Sequence, residues 1–450
     1  MKSDLQDLAT DIVARGRDEE QVEAFVIHER SFEVKAYDGE VEHLSAAEPR
    51  GAGVRIVSGG RVGFAYSSDL ASAGLADVVE RARENARYTS GDDAVGLAPP
   101  WDDAPADMPG LVDPLQADVG PEDKVEFALE LERATRSTKG VRGVEEAVYS
   151  DSDTEIAIAT SNGIHGSYRR TDAWCYAVAM AGSGDDQEMG FDFGLARGLG
   201  ALDAPDVAER SARRALDVLG ASKIPSARMP VVLDPYVAGQ FLGVLSQALT
   251  GEAVQKGRSL FAGKIGEVVA APQVSLIDDG RWEGAPSSAP WDGEGVARGR
   301  TEVIKDGVLT SLLYDTTSAR REGRDSTGNA ARGGFKSLPH PSSSNLAILP
   351  TGESADEVLR NAGRALLVQD FHGVHSGANA VTGDFSVGAT GRLLEDGVPG
   401  AAVKEVTVAA PMLEILARIV AVADDLRWLP FGGSYGGATT LVEEMTVAGS

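Results

Sequence analysis

An α+β fold in two domains is predicted by the sequence: an N-terminal mixed α/β layer domain over residues 1–222, and a C-terminal, largely antiparallel β domain with flanking helices over residues 223–450. Short runs of alternating apolar and polar residues are separated by Asp-Gly and Gly-Gly pairs, which tolerate positive φ and so close hairpins. Other segments repeat apolar residues at three- and four-residue steps, the period of a helix with one buried face. Near the middle of the chain Gly220-Ala221-Ser222-Lys223-Ile224-Pro225 interrupts both patterns and marks the boundary.

In the first half, Ala24-Phe25-Val26-Ile27, Phe32-Glu33-Val34-Lys35-Ala36 and Gly53-Val54-Arg55-Ile56-Val57 read as strands of a hairpin meander, with turns at Asp38-Gly39 and Gly59-Gly60. A helix follows, because Leu75, Val78, Val79, Ala82 and Ala86 share one face while Glu80, Arg81, Arg83 and Glu84 take the other. Residues 97–120 scatter five prolines among aspartates, a composition that sustains neither a helix nor a central strand and reads as an exposed connector. A second helix is predicted over Pro121–Ser137, then strands at 144–150, 154–160 and 167–181, the last two joined at Asn162-Gly163. A helix over residues 205–219 closes this half.

The second half opens on a buried strand, Met229-Pro230-Val231-Val232-Leu233, followed by Asp234-Pro235, an N-cap residue with proline at the first helical position. Val237, Phe241, Leu242, Leu245 and Leu249 continue that helix, with Gly251 as its expected stop. Downstream, Asp279-Gly280, Asp306-Gly307 and Asp396-Gly397 punctuate strands of a largely antiparallel system, and a last long helix is expected over residues 411–426.

The 450 residues carry a net charge of −27, which repels phosphate backbones and anionic lipid and argues against direct nucleic-acid binding and a polybasic membrane anchor. Cys175 is the only cysteine, so an intrachain disulfide and a multi-cysteine zinc site are both excluded. No signal-peptide core follows Met1, and no run of about 18 apolar residues could span a membrane. The chain therefore reads as soluble, unprocessed and cytoplasmic.

Motifs that carry chemistry are sparse. Gly432-Gly433-Ser434-Tyr435-Gly436 matches the G-x-S-x-G nucleophile elbow, yet no histidine follows His375 to complete a triad, and the surrounding strand and helix are missing. It reads better as a glycine-rich loop. His28-Glu29 begins a zincin motif that Phe32 and Glu33 fail to complete. His372 and His375 stand three apart, but Gly373 and Gly377 argue against a helix, leaving them as loop histidines. Asp278-Asp279 and Asp292-Gly293-Glu294-Gly295 offer paired carboxylates for acid/base work or a hard cation. Asp279-Gly280 is more economically a turn, whereas Asp292 and Glu294 fall on one face of a strand and keep a site there open. There is no phosphate-binding glycine loop, so the residues alone yield no catalytic set.

A series of segments in a fixed order adds to this. It begins with Asp38-Gly39-Glu40-Val41-Glu42, Gly51-Ala52-Gly53-Val54-Arg55-Ile56 and Arg61-Val62-Gly63-Phe64-Ala65. It continues with Pro230-Val231-Val232-Leu233-Asp234-Pro235, Leu249-Thr250-Gly251-Glu252-Ala253-Val254 and Asp292-Gly293-Glu294-Gly295-Val296. It ends with Asp306-Gly307-Val308-Leu309, Ser326-Thr327-Gly328-Asn329, Val381-Thr382-Gly383-Asp384-Phe385-Ser386 and Thr446-Val447-Ala448-Gly449. Together these resemble the TldD/PmbA family, the paired subunits of a cytoplasmic metalloprotease once described as modulators of DNA gyrase. In the TldD-type subunit the helix after the Pro-Val-Val-Leu strand carries H-E-x-x-x-H, and a C-terminal cysteine completes the zinc site. Here that helix has Gly243, Val244 and Ala248 roughly where ligands and base would fall, and residues 428–450 contain no cysteine. Thr407-Val408-Ala409-Ala410-Pro411-Met412 departs from the family's T-I-A-G-N-L as well. The resemblance is closer to the PmbA (TldE) subunit.

That resemblance implies a noncatalytic subunit with no cofactor of its own, zinc being held by a TldD-type partner, and peptides as substrates. A homodimer in isolation is compatible with it. An extended substrate strand would pair with an exposed sheet edge, with Gly328, Asn329, Thr382, Gly383 and Ser386 as candidate cavity-lining residues; the alternative for these five is a turn-forming role set by backbone geometry. Two rival readings stay open: a partner-free peptide-binding or modulator protein, and an autonomous hydrolase using Asp292, Glu294 or Ser434.

Overall fold

The computed structural model describes residues 4–184, 186–429 and 433–449. The N-terminal half runs α1 (Asp4–Val13), β1 (Gln21–Tyr37), β2 (Glu40–Ala47), β3 (Arg50–Ser58), β4 (Arg61–Ser67), α2 (Ser72–Ala86), α3 (Pro121–Ser137), β5 (Val141–Thr160), β6 (His165–Ser183), β7 (Asp186–Ala196) and α4 (Ala204–Asp217). Its strands form one antiparallel sheet in the order β4-β3-β1-β5-β6-β7, with β2 also paired to β1. The Asp-Gly and Gly-Gly turns close as expected: Asp38 and Gly39 have φ of 52° and 79°, Gly59 and Gly60 of 56° and 72°, the positive values a two-residue hairpin needs at both central positions.

Where the sequence suggests two strands, the structure has one. β1 is continuous through His28-Glu29-Arg30-Ser31, whose polarity looks like a break. Its N-terminal part pairs with β3, its C-terminal part with β2, and its other edge with β5 nearly throughout. β5 likewise runs straight through Ser150-Asp151-Ser152-Asp153, because Asp151 is answered by Lys124 of α3 at 2.6 Å and by the Tyr149 hydroxyl at 2.7 Å. α1 and β7 have no counterpart in the sequence prediction; the acidic start of β7, Asp186-Gln187-Glu188, reads as loop.

The helices cover one side of this sheet in two clusters. Leu5 and Ile12 of α1 and Leu75 and Val78 of α2 pack on Val22, Val54 and Ile56, while Phe127 and Leu131 of α3 and Val207 of α4 pack on Val34, Tyr149 and Cys175. The segment 97–120 does lack helix and strand apart from one 3-10 turn, Gln116–Asp118, but it is not simply exposed. Leu97, Ala98 and Leu111 are buried, and Trp101 packs beside Trp291 and Phe335 while its Nε1–H donates to Gly295 O at 2.6 Å. It is a strap across the two halves.

The C-terminal half runs β8 (Ala227–Leu233), α5 (Pro235–Ser246), α6 (Gly251–Gln255), β9 (Leu276–Asp279), β10 (Arg300–Lys305), β11 (Val308–Leu309), α7 (Thr316–Arg321), β12 (Ala330–Ala331), β13 (His340–Pro341) and β14 (Asn345–Ile348). It continues through α8 (Ala355–Ala362), β15 (Ala365–His372), α9 (Val374–Gly377), β16 (Ser386–Glu395), β17 (Val398–Ala409), α10 (Met412–Ala417), β18 (Ile419–Val422), β19 (Arg427–Leu429), β20 (Ser434–Gly437) and β21 (Thr440–Ala448). Two larger sheets, β11-β10-β9-β14-β20-β19 and β17-β16-β15-β8-β21-β18, are antiparallel except for the parallel pairs β14–β20 and β8–β15.

Two local expectations are corrected. Gly251 does not stop α5, which ends at Ser246; it opens α6, whose N-cap Thr250 accepts from Ala253 N–H at 3.2 Å. The helix expected over 411–426 is only α10, because the β-branched run that follows forms β18 against β21. Asp279-Gly280 is a turn as expected, with Trp282 N–H donating to Asp279 O at 3.3 Å, and leads into a long excursion before β10 returns, whereas Asp306-Gly307 and Asp396-Gly397 close tight hairpins with positive φ at both residues.

α5 lies between the two larger sheets, and Val237, Phe241, Leu242 and Leu245 anchor it in the main core, each worth about 1.5–3 kcal/mol of burial. β20 crosses its first turn closely enough that a Cβ on Gly437 would sit 1.9 Å from Pro235 O. Among the described residues no helix is long and apolar enough to cross a membrane.

The two halves meet across a buried chain of alternating charge. Glu23 of β1 takes Arg55 of β3 at 2.6 Å; Arg55 reaches Glu294 at 3.0 Å; and Arg332 closes on the other oxygen of Glu23 while its Nε–H donates to Gly293 O at 2.6 Å. The four side chains are each no more than 5% exposed. Burial pushes the Glu23 carboxyl up, but Arg332 and Arg55 outweigh it and hold the pKa below its ordinary value of 4.5. Glu23→Ala would leave two guanidiniums buried with too few partners, and is expected to lower the unfolding free energy by about 3–5 kcal/mol at neutral pH. Since the native pKa of Glu23 is depressed, its contribution is complete above 4.5 and fades as the pH falls further. Denaturant titrations of wild type and variant should therefore converge in acid.

Candidate functional site

Two grooves of ligand size open on either side of β19. The first, with a volume of about 820 Å³, runs along the face of α5 opposite its core contacts, where Gly239, Gln240, Gly243, Val244 and Gln247 follow one another at helical spacing. The helix is fixed at its start by Asp234, whose carboxylate accepts from Tyr236 N–H at 2.7 Å and pairs with Arg214 at 2.8 Å. Its small residues admit close neighbours: a Cβ on Gly239 would lie 2.7 Å from Leu429, and one on Gly243 3.2 Å from the Tyr435 ring. Ser246 donates its hydroxyl to Tyr435 Oη at 3.1 Å, and among the described residues Gln240 Oε1 is buried without a hydrogen-bond partner. The opposite wall comes from α9, including His375, and from Asn379, Ala380 and Val381.

The second groove, of about 890 Å³, lies between β6, β7 and α4 on one side and residues 284–287, Arg427, Trp428 and Gly433 on the other. β7 ends the N-terminal sheet and β19 ends a C-terminal one, so two strand edges border this space. Its floor is ionic. Asp192 is 2% exposed and takes Arg427 at 2.8 Å, Arg210 at 2.9 Å and Arg214 at 3.2 Å; burial pushes its pKa up, and the three guanidiniums together hold it below the ordinary value. Arg170 grips Asp172 with Nε and Nη2, and Arg197 shares the same carboxylate.

Most residues singled out by the sequence are engaged structurally. Asp292 Oδ1 accepts from Glu294 N–H and Val296 N–H, and its Oδ2 from Ala330 N–H, all at 2.9 Å. Burial and the neighbouring Glu294 carboxylate push its pKa up to about 7. Glu294 spends its oxygens on Arg55 and on Thr316 N–H at the start of α7, the latter at 2.8 Å. Ser434 is fully buried in β20 and donates to Asn345 Oδ1 at 2.8 Å, with no histidine against it, so the serine-hydrolase reading fails on geometry; Gly432 lies outside the described residues. His28 meets Glu48 at 2.7 Å and His372 meets Thr390 at 2.8 Å, away from each other and from His375's groove wall. Cys175 is buried, which pushes its thiol up to about 12.

Of the five candidate lining residues, Gly328 and Asn329 sit in the interior. Asn329 donates to Asp278 Oδ1 at 2.7 Å and to Ser342 O at 3.2 Å and accepts from Thr327 Oγ1 at 2.6 Å, while Gly328, at φ 72°, packs against Ala297 O. Thr382 is exposed in the turn that directly follows Val381 of the groove wall; Gly383, at φ 84°, is buried in that turn, its N–H donating to Asn379 O at 2.8 Å and its C=O accepting from Met412 N–H at 2.7 Å; and Ser386 is the exposed first residue of β16. Sequence reasoning missed Gln240, Tyr435 and the Arg170–Asp172–Arg197 cluster. Arg170, Asp172 and Trp174 at strand spacing facing one side of β6 were the available signal for the last.

The residues present do not fit a zinc ion on α5. Val244 is 9% exposed, Ala248 is fully enclosed, and Gly243 lies under the Tyr435 ring, so none of the three places offers a donor atom. Among the described residues no three of His, Cys, Asp and Glu converge as a metal site.

Family models described as PmbA/TldA metallopeptidase domain 1, central domain and C-terminal domain match residues 22–86, 114–219 and 226–449. The metalloprotease PmbA of Escherichia coli is 29% identical over 413 residues, spanning 91% of this chain and 88% of the relative. A metalloprotease TldD homolog of Haemophilus influenzae is 28% identical over 401 residues, 86% of this chain and 82% of the relative. Among solved structures, TldE from Thermococcus kodakarensis has the same fold, with a TM-score of 0.88 at 22% identity over 95% of this chain and 97% of that one.

Asn329→Ala would take a donor from the buried Asp278 carboxyl, whose pKa is already raised by burial. It should cost about 1–3 kcal/mol of stability in thermal or denaturant unfolding and leave peptide affinity unaltered in a titration.

Proposed function

The chain belongs to the PmbA/TldD metallopeptidase family, and from that premise we propose that it is a noncatalytic, TldE-like subunit whose partner, a TldD-type chain, holds the zinc and cleaves peptides. The observation that carries this is the bare face of α5: a ligand-sized groove runs along it past Gly243 and Val244, yet neither these two nor the enclosed Ala248 beyond the helix can bind a metal or accept a proton. The groove is kept while the chemistry is absent. A substrate peptide is held extended, by main-chain pairing to the edge of β19, which suits a protein that must accept varied sequences. Thr382, Gly383 and Ser386 are assigned to the rim of the α5 groove, and the complex is assigned to the cytoplasm. The relatives named PmbA and TldD support a two-chain peptidase of this type.

A second reading, a peptide-binding protein that acts without a partner, is favoured by Gln240. Its buried Oε1, without a partner among the described residues, would accept a peptide N–H with no help from another chain.

Mixing experiments separate the two. Cleavage of an unstructured peptide should require both this chain and an H-E-x-x-x-H-bearing partner, and should be lost on chelation of zinc. Peptide cleavage by this chain alone, or activity of the partner that is indifferent to its presence, would contradict the subunit assignment.

A further inference from the structure

We infer that Arg170 and Arg197 form an anchor for a carboxylate of a peptide lying in the groove between β7 and β19, an inference that rests on the peptide-holding role proposed above. Four guanidiniums line that groove, those of Arg170, Arg197, Arg210 and Arg427, and they are not equally answered. Arg427 and Arg210 share Asp192 with Arg214; Arg210 also meets Asp206, and Arg214 meets Asp234, so three cations face three carboxylates. At the other end, one carboxylate faces two cations. Arg170 takes both oxygens of Asp172, at 2.6 and 2.7 Å, and Arg197 has only Asp172 Oδ1 besides the carbonyls of Ala285 and Pro286.

At this end of the groove two cations thus share one carboxylate, while Asp203, the remaining acid of the lining, caps α4 by accepting from Asp206 N–H. The side chains of Arg170 and Arg197 are 20% and 15% exposed, and among the described residues Nη1 of Arg170 and Nε of Arg197 have no acceptor. Burial and the neighbouring Arg170 depress the Arg197 pKa despite Asp172, the direction expected when a guanidinium lacks its own counter-charge. A planar fork with free N–H groups matches a carboxylate in particular.

Position adds to charge. Arg197 directly follows Ala196, the last residue of β7, so the pair sits at one end of the groove that this strand borders. Trp174, on the same face of β6 as Arg170 and Asp172, and Trp428 supply apolar walls for the side chains next to the anchored group. The carboxylate can be the C-terminus of the peptide or an Asp or Glu side chain; the chemistry at the pair is the same.

The test uses the full chain and three hexapeptides of one uncharged sequence, titrated calorimetrically. One is acetylated and amidated, one has a free C-terminal carboxylate, and one is amidated with a single internal Asp. At least one acidic peptide should bind about tenfold or more tightly than the neutral one, as a charge-assisted bond to guanidinium provides. Which of the two it is identifies the source of the carboxylate. Arg197→Gln should erase the difference and Arg197→Lys restore part of it; a merely structural arginine would change the melting temperature and leave the preference intact. Equal binding of all three peptides to the wild-type chain would overturn the anchor, whether or not a variant folds. Failure of all three to bind would overturn the anchor and the peptide-holding role together.

Discussion

The charges of Glu23, Arg55, Glu294 and Arg332 set the register of the two halves. Taking four ions out of water is unfavourable by several kcal/mol each, so the arrangement persists only because the geometry closes: Glu23 sits between two guanidiniums, Arg55 between two carboxylates, and the spare valences of Glu294 and Arg332 go to the main chain at Thr316, Gly293 and Ser337. Of these four side chains, Arg55 Nε is buried without a hydrogen-bond partner among the described residues. A hydrophobic contact of the same area would hold the halves together but would tolerate sliding. Ionic pairs with short, directional bonds do not, and the groove between β7 and β19 exists because the two sheets are held at this offset.

This also explains why Asp292 and Glu294 mislead a reader of the sequence. Two acids on one strand face, in a glycine-rich segment, have the pattern of an acid/base pair. In the molecule Asp292 takes N–H bonds from Glu294 and Val296 of its own loop and from Ala330 of β12, and Glu294 ends the charge chain. Nothing local distinguishes these uses, because the partners, Arg55 and Ala330, are remote in sequence. The Asp-Gly hairpins, the capped start of α5 and the helix over Pro121–Ser137 were legible for the opposite reason: their causes are local. β1 and β5 were cut in two because their polar middles are stabilised by tertiary partners, and residues 97–120 were misjudged as exposed because Trp101 finds its place only against the C-terminal half.

The grooves were legible to different degrees. Helical periodicity predicts α5 and its core face, and by subtraction the face that lines the first groove, but not that Tyr435 and Leu429 cross over its glycines. Arg170 and Arg197 carry no sequence signature as a pair: one lies in β6 and the other just past the end of β7, and the pairing of those strands brings both to Asp172. What the family resemblance added was the meaning of an absence, namely that a helix in this place carries a zinc motif in some members. Composition and periodicity alone would have passed over Gly243, Val244 and Ala248 as ordinary helix residues.

A groove without chemistry of its own makes sense if a second chain brings the chemistry to it, and the mass of the native assembly addresses that most directly. The tagged chain, drawn from its own cells and weighed intact under native conditions, should appear with a second chain bearing H-E-x-x-x-H and one zinc per pair. A metal-free assembly containing only copies of this chain would contradict the account.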